Sequence, residues 1–455
     1  MSLETVNPTN GKTIRTYEEM NDAVIDDVLE KVDIAAKGWR KTSFEQRAQL
    51  MHKAGDVLEK RSAELAALMT EEMGKTLSSA QGEVEKCANV CHYYADNAAS
   101  FLADEEISSD ARLSKIVYQP LGIVLAVMPW NFPLWQVFRF AAPGLMAGNA
   151  GVLKHASNVC GSALEIEKVF KEAGFPEHVF RTLLIGSKSV ARVIENPRIK
   201  AVTLTGSTAA GRAVASKAGE CLKKAVLELG GSDAYVILGD ADMEAAVDAC
   251  VTSRLINAGQ SCIAAKRFIV VESRLQEFTE RFVASMESKT LGDPTAEETD
   301  LGPQARFDLR DELHKQVTQS ISKGATLLTG GEIPDREGAF YPPTVLGNVT
   351  PGMPAYDDEL FGPVAAIISA MDEDDAIHIA NDSVFGLGAA VFTTDLKKGE
   401  TIAATRLEAG CCFVNGFVKS DQRLPFGGIK ESGYGRELSH LGIREFTNNK
   451  TVYIT

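Results

Sequence analysis

The segment AVTLTGSTAAGR, residues 201–212, has the pattern of a buried β-strand that ends at Thr205 and a helix that starts near Ala209. A short run of β-branched and apolar residues followed at once by a helix is typical of a parallel sheet covered by helices. The free backbone amides at the start of such a helix suit an anionic group. This stretch therefore predicts an α/β unit with a candidate anion site at Gly206.

The same alternation continues on both sides of this segment, after a first hundred residues that have helical periodicity. Strand-like runs occupy residues 122–127, 151–154, 234–238, 267–271, 364–368 and 389–392. Strands that alternate with amphipathic helices predict an α/β fold, here in two units. The last residues, 451–455, predict a short strand that needs a sheet edge, which another subunit could supply.

Composition and charge restrict the partners of this chain. Its 455 residues are 45% hydrophobic and its net charge is −15, which argues against a nucleic-acid or anionic membrane partner. Residues 1–12 lack the pattern of a signal peptide, and the longest apolar run, 121–128, is too short to span a bilayer. We therefore expect a soluble, cytoplasmic protein that acts on small molecules.

Metal and nucleotide motifs are weak or incomplete. The eight cysteines form no CxxC pair and the seven histidines no HExxH pattern, so no metal is expected. Residues 206–211 have the glycine spacing of a Walker A loop, but Arg212 and Ala213 replace the required Lys and Ser or Thr. Because no GxGxxG joins a strand to a helix, an ordinary strand-to-helix turn at Gly206 stays an alternative to a cofactor site.

Four further segments could carry chemistry: PWNFPLW (129–135), ELGG (228–231), GQSC (259–262) and ELFGP (359–363). A cysteine in a glycine-rich loop can be a reactive thiolate, and a glutamate before two glycines can approach a ligand closely. An asparagine between aromatic residues can present its amide in a dry pocket. Taken singly, each has an ordinary structural alternative: a buried cysteine, a salt-bridged glutamate or a core amide.

In their joint order, with NPTNG (7–11), TGST (205–208) and PFGGIKESG (425–433), these segments resemble the aldehyde dehydrogenase superfamily over nearly the whole chain. The resemblance implies a Rossmann-like cofactor domain over 1–111 and 129–228, and an α/β catalytic domain over 229–433. It also implies a small β oligomerisation arm, formed by a hairpin over 112–128 and by residues 434–455. A homodimer or homotetramer is the assembly expected from it.

The resemblance also implies catalytic roles. Cys262 would attack an aldehyde to give a thiohemiacetal and then a thioester, with the oxyanion held by the Asn131 amide and the Cys262 N–H. Glu228 would activate the water that hydrolyses the thioester; relatives that pass the acyl group to coenzyme A or phosphate generally lack this base. The implied cofactor-binding residues are Trp130, Asn131, Lys154, Ser157, Gly206, Ser207, Thr208, Leu229, Glu359 and Phe361.

Two positions bear on specificity. Ser157 stands where NAD-preferring relatives often carry a glutamate, and Lys154 is close by, so NADP is the expected cofactor, with NAD as a second acceptor. Arg139, with Trp135 one helical turn before it and Ser420 from a distant loop, would bind a distal carboxylate, as in succinate semialdehyde. The alternatives are another short ω-carboxy aldehyde, an aliphatic aldehyde, or a catalytically idle scaffold, which would have lost its cysteine, glutamate or asparagine.

Overall fold

Helices make up much of the chain in the computed structural model, which describes residues 2–455. In chain order they are α1 (Asp22–Trp39), α2 (Phe44–Lys60), α3 (Ser62–Met73), α4 (Leu77–Phe101), α5 (Trp135–Met146), α6 (Cys160–Glu172), α7 (Val190–Glu195), α8 (Thr208–Glu220), α9 (Met243–Leu255), α10 (Glu272–Glu287), α11 (Phe307–Ser322), α12 (Pro354–Asp357), α13 (Glu373–Asn381), α14 (Leu396–Thr405) and α15 (Ser439–Arg444). None of these helices of residues 2–455 is both long and apolar enough to cross a membrane.

The strands alternate with these helices from residue 123 onward. They are β1 (Ser2–Val6), β2 (Thr13–Glu18), β3 (Glu105–Glu106), β4 (Leu113–Pro120), β5 (Ile123–Met128), β6 (Ala150–His155), β7 (Phe180–Thr182), β8 (Ile199–Thr205), β9 (Lys224–Glu228), β10 (Ala234–Ile237), β11 (Arg267–Val271), β12 (Thr326–Thr329), β13 (Thr344–Gly347), β14 (Val364–Ala370), β15 (Phe385–Gly386), β16 (Gly388–Phe392), β17 (Cys411–Val414), β18 (Ile429–Lys430), β19 (Gly433–Tyr434) and β20 (Thr447–Ile454). The strand-like runs identified in the sequence all fall on these strands, so the α/β prediction is confirmed.

A six-stranded sheet contains β8, the strand predicted from the segment 201–212. Its order is β19-β9-β8-β5-β6-β7, and all pairs are parallel except β19 with β9. The chain runs outward from β5 to β7 and then returns to place β8 on the other side of β5. The point between β5 and β8 is therefore a topological switch point, where open α/β sheets form a crevice at the carboxyl ends of their strands.

A seven-stranded sheet forms the second α/β unit, in the order β12-β13-β14-β11-β10-β16-β17. Its strands are parallel except the edge strand β12, and nearly all residues of the central strands are buried. The segment from Leu229 to Asp233 connects the last parallel strand of the first sheet, β9, to β10 of the second. Residues 228–231 therefore lie at the junction of the two sheets.

The small third sheet differs from the sequence prediction. Residues 112–128 do not form one hairpin, because β5 pairs with β6 and β8 inside the six-stranded sheet, and only β4 belongs to the small sheet. The carboxyl-terminal strand, predicted over 451–455, is longer and pairs with β4 of the same chain. From its local pattern alone this strand could have joined the edge of another subunit, because β4 and β20 are more than 300 residues apart in the sequence.

Candidate active site

The switch point of the six-stranded sheet brings several predicted residues to one crevice. Trp130 and Asn131 follow β5, whereas Gly206 and Ser207 follow β8. Ser207 is the N-cap of α8, and its side chain accepts a hydrogen bond from the backbone N–H of Ala210. The amides at this helix start and the positive end of the helix dipole make the crevice suitable for a phosphate group.

The β6 side of the crevice carries a cation. Lys154 lies near the carboxyl end of β6, and burial lowers the pKa of its ammonium group. No carboxylate within residues 2–455 forms an ion pair with it. Ser157 follows β6 and is exposed. A mostly buried cation beside a small hydroxyl residue fits a phosphorylated ribose better than a free ribose hydroxyl, so the residues present suit NADP.

The other side of the crevice is formed by the 359–363 segment. The rings of Trp130 and Phe361 meet edge to face with centroids 5.7 Å apart. The Glu359 carboxylate accepts a hydrogen bond from the N–H of Gly231 at 3.0 Å. A Cβ on Gly230 would lie 2.5 Å from the Glu359 carboxylate, so only glycine permits this approach. The glycines after Glu228 thus bring the 228–231 segment against the predicted cofactor-binding residues.

The loop that carries Cys262 is held by unusual backbone and buried contacts. Asn257 and Ala258 have left-handed backbone conformations, with φ of 55° and 53°. Gly259 follows, where a Cβ would lie 2.2 Å from the backbone of Gly362. The ammonium group of the buried Lys266 donates to the carbonyl oxygens of residues 261 and 262, at 2.8 and 2.6 Å. These contacts fix the backbone from residue 257 to Cys262, which suits the predicted role of Cys262 as a preorganised nucleophile.

The Asn131 side chain is tied to the same loop. Its Nδ2 donates to the carbonyl oxygen of Gln260 at 3.1 Å, and the Asn257 side chain donates to the Asn131 carbonyl oxygen at 2.7 Å. Since an amide nitrogen carries two hydrogens, the second is available to an oxyanion. The structure thus links Asn131 to the nucleophile loop through contacts that span more than 120 residues of sequence.

Burial dominates the electrostatics of the thiol. Desolvation raises the pKa of the Cys262 thiol to about 12, whereas the nearby cations Arg139 and Lys266 lower it. The carboxylates of Glu359 and Asp233 act in the opposite direction and raise the pKa of the thiol. The thiol is therefore mainly protonated at neutral pH, and the reaction needs a base or a polar group that favours the thiolate.

Glu228, the last residue of β9, is completely buried. Burial is the main cause that raises the pKa of its carboxyl group well above the ordinary value; Glu437 raises it further and Arg139 lowers it. Neither carboxylate oxygen of Glu228 has a hydrogen-bond partner among residues 2–455. A Cβ on Gly427 would lie 2.7 Å from one of these oxygens. A carboxyl group in such a setting is a strong base once it is ionised.

A cavity of about 270 Å³ opens beside Cys262. It brings together Cys262, the predicted nucleophile, and the three predicted substrate-binding residues, Trp135, Arg139 and Ser420. Asn131 and Glu228 are not among the residues that line it: Asn131 is bonded to the loop that carries Cys262 through the Gln260 carbonyl, and Glu228 is buried, with Arg139 lowering the pKa of its carboxyl group. Most of the exposed lining is apolar, contributed by residues such as Phe132, Ile263, Phe417 and Phe426.

Arg139 has a partner that the sequence did not predict. Its guanidinium forms a buried ion pair with Glu437 and donates to the Thr205 hydroxyl at 3.3 Å. Its charge also lies over the Phe426 ring, 4.7 Å from the centroid. Arg139 therefore contacts the cavity, but a carboxylate of the protein already neutralises much of its charge. No local pattern reveals Glu437, because it lies 298 positions further along the chain.

Two further lysines were missed by the sequence argument. Lys266 holds the nucleophile loop, and Lys86, on α4, lines the cavity itself. The segment around Lys86 has only ordinary amphipathic periodicity, so a surface lysine was the natural interpretation. The sole available signal was its position one turn beyond Glu83 on the same helix.

Comparisons with known proteins agree with this geometry. Residues 1–452 match the model of the aldehyde dehydrogenase family. A Synechocystis sp. protein named probable succinate-semialdehyde dehydrogenase, NADP(+), is 50% identical over 454 residues and 100% of both chains. An Escherichia coli (strain K12) protein named succinate semialdehyde dehydrogenase, NAD(P)+, Sad is 49% identical, covering 98% of this chain and 97% of its own. The crystal structure of succinic semialdehyde dehydrogenase from Streptococcus pyogenes in complex with NADP+ superposes with a TM-score of 0.97 at 39% identity, covering 99% of both chains.

Proposed function

Since the chain belongs to the aldehyde dehydrogenase family, we propose that it oxidises succinate semialdehyde to succinate with NADP as the preferred hydride acceptor. The observation that carries this proposal is the 270 Å³ cavity, which Cys262, Arg139 and Ser420 line together. A four-carbon chain fits a cavity of this size. Relatives at about half identity that are named for this substrate support the same assignment.

In the first step the Cys262 thiolate attacks the aldehyde carbon and forms a thiohemiacetal. The pKa of the thiol is high because of burial, so the cations Arg139 and Lys266 are needed to favour the thiolate. The new oxyanion accepts hydrogen bonds from the free N–H of the Asn131 amide and from the Cys262 backbone N–H. Lys266 fixes this loop, so both donors are in place before charge develops.

The second half of the reaction releases the acid. The crevice residues would hold NADP+, which would supply the acceptor for the hydride that leaves the substrate carbon; loss of this hydride leaves a thioester on Cys262. Glu228 then takes a proton from the water that attacks the thioester, and the thiolate leaves. The two steps consume one water and give succinate, with Cys262 restored. The raised pKa of Glu228 suits this role, because a more basic carboxylate takes the proton more readily.

The crevice residues would hold the cofactor. Lys154 and Ser157 would bind the 2′-phosphate, and no carboxylate forms an ion pair with Lys154 among the described residues to repel it. The remaining predicted contacts are the helix start at Gly206, Ser207 and Thr208 for the pyrophosphate, Glu359 for a ribose, and Trp130, Asn131, Leu229 and Phe361 along the crevice. NAD would bind through the same residues without the phosphate contact.

Steady-state kinetics with succinate semialdehyde and butanal, each with NADP and NAD, tests this proposal. We expect kcat/KM for succinate semialdehyde with NADP to be the highest of the four combinations. A higher value for butanal would favour an aliphatic aldehyde dehydrogenase, and no turnover with either would favour the idle scaffold. Glutarate semialdehyde extends the test to the next chain length.

The exposed edge of the small sheet bears on how subunits would associate. We propose a homodimer or homotetramer in which the three-stranded sheet β20-β4-β3 takes part, because β20 is an exposed edge strand with half-exposed Tyr453 and Ile454 at its end. Analytical ultracentrifugation of the whole chain, and of a variant that lacks residues 447–455, measures this directly. A cytoplasmic location stays a prediction of the sequence.

A further inference from the structure

Lys86 is a charged side chain inside the cavity that the mechanism does not use. It projects from α4, and its Nζ donates a hydrogen bond to the Ser420 hydroxyl at 2.7 Å. The same Nζ lies 4.1 Å from the centre of the Trp135 ring. Lys86 therefore contacts two of the three residues that the sequence assigned to the substrate, although it is 334 positions away from Ser420.

No carboxylate of the protein neutralises Lys86. Within residues 2–455 no acidic oxygen lies within ion-pair distance of its Nζ. Glu83, the carboxylate that lines the same cavity, is fully engaged elsewhere: it pairs with the buried Lys75 and accepts from the N–H groups of residues 134 and 135 at 2.8 and 2.9 Å. The nearby Asp421 binds Arg423. The ammonium group is thus left with only a hydroxyl and an aromatic face.

Arg139 provides the contrast. It lines the same cavity, yet its guanidinium is paired with the buried Glu437 and bonded to Thr205. A substrate carboxylate near Arg139 would therefore find a cation whose charge Glu437 already compensates. Near Lys86 it would meet a cation whose charge is not yet compensated, and a hydroxyl group able to rotate and donate.

We propose that Lys86 Nζ, together with the Ser420 hydroxyl, binds the distal carboxylate of the aldehyde substrate and so sets the preference for ω-carboxy aldehydes. This inference rests on the proposed function, since it concerns the far end of the same substrate. The ammonium group and the hydroxyl are already 2.7 Å apart, so one carboxylate can bridge both without a rearrangement of either side chain.

The electrostatic setting is consistent with a site that awaits an anion. Burial, together with Arg139 on α5, lowers the pKa of Lys86 to about 8, although Cys87, Glu83 and the loop residue Asp421 act in the opposite direction. A cation held in such surroundings gains more from an anionic ligand than a solvated one, because less water has to be displaced. Binding of a carboxylate would raise the pKa of Lys86.

Four enzymes test the proposal: the wild type, Lys86→Met, Lys86→Arg and the control Lys53→Met. Methionine keeps the apolar stem over Trp135 but removes the charge, and Lys53 is an exposed lysine on α2 that leaves the cavity untouched. Because a hydrogen bond to a charged group is lost, Lys86→Met should lower kcat/KM for succinate semialdehyde about tenfold to a hundredfold. Butanal should change less than about threefold in that variant. Lys86→Arg should keep most of the activity, and Lys53→Met all of it.

A second measurement tests carboxylate binding with ligands that are not oxidised. Succinate should inhibit butanal oxidation by the wild type more strongly than butyrate does, and Ser420→Ala and Lys86→Met should both reduce that difference. Equal losses on the two aldehydes in Lys86→Met, or an unchanged advantage of succinate over butyrate, would overturn the role of Lys86. A wild type that prefers butanal would instead overturn the proposed function, so the two failures are distinguishable.

Discussion

Replacement of Arg139 by alanine separates two roles for this residue. The sequence hypothesis expects a loss confined to ω-carboxy aldehydes, because Arg139 would bind the distal carboxylate. The structure gives Arg139 a different main partner: only 2% of its side chain is exposed, and it pairs with Glu437, whose side chain is 5% exposed. Arg139 also lowers the pKa of Glu228, the proposed general base, so without Arg139 more of this carboxyl group is protonated and unable to accept a proton. We therefore expect Arg139→Ala to impair both aldehydes.

The magnitude follows from the buried pair. Removal of one partner from a buried ion pair costs about 3–5 kcal/mol, because the other charge is left without compensation. Urea denaturation should show this loss at pH 8. The loss should shrink as the pH falls, since protonation of Glu437 removes the unpaired charge; burial already raises the pKa of this carboxyl group. In the variant, stability is thus present at low pH and is lost as the pH rises through the pKa of Glu437.

The matched control is the double variant Arg139→Ala with Glu437→Gln. It removes both charges of the pair, so it should be more stable than Arg139→Ala alone at pH 8, and its stability should depend less on pH than that of Arg139→Ala. For activity, the informative quantity is the ratio of kcat/KM for succinate semialdehyde to that for butanal. If Arg139→Ala lowers this ratio as much as Lys86→Met does while stability is unchanged, the pairing argument is wrong and Arg139 binds the substrate carboxylate.

Four other predictions address the rest of the site. Cys262→Ala should retain NADP binding, measured by calorimetry, and lose turnover completely; residual dehydrogenase activity would exclude the covalent mechanism. Glu228→Gln should give a rapid burst of NADPH followed by slow turnover, because hydride transfer precedes hydrolysis. Absence of the burst would assign Glu228 to deprotonation of Cys262 instead. Ser157→Glu should shift the ratio of kcat/KM from NADP toward NAD, and an unchanged ratio would mean that residue 157 does not face the ribose. The preference of the wild type for succinate semialdehyde over butanal should fall above about pH 8, where Lys86 loses its proton, and Lys86→Arg should abolish this fall.

The fold could be predicted from the sequence where apolar residues recur with the regular spacing of a strand or a helix. The segment at 201–212 gave a strand that ends at Thr205 and a helix that begins at Thr208, one residue before the predicted start. The arm was predicted less well, because a hairpin over 112–128 and two separate strands have the same local pattern. Only the long-range pairing of β5 with β8 decides between them, and a strand's partner is not written in its own sequence.

The residues of the candidate site also fall into those that local sequence could identify and those that it could not. Residues in short glycine-rich or aromatic motifs, such as Cys262 and Asn131, could be identified because their local context restricts the backbone. Lys86 and Glu437 could not be identified, because each acts through a partner about 300 positions away. A lysine on an amphipathic helix is ordinarily solvated. Only the packing of the 415–428 loop against α4 makes this one a lining residue of the cavity.

Helix α4 links these distant parts physically. The fully buried helix α5 has no N-cap side chain of its own, and Glu83 of α4 accepts from its first free N–H groups instead. The loop that ends at this cap carries Asn131, the proposed oxyanion donor. Lys86 lies three residues after Glu83, hence on the same face of α4. One helix face therefore holds the start of α5 in place and presents the proposed carboxylate-binding cation, so the two ends of a substrate are positioned against a single rigid element.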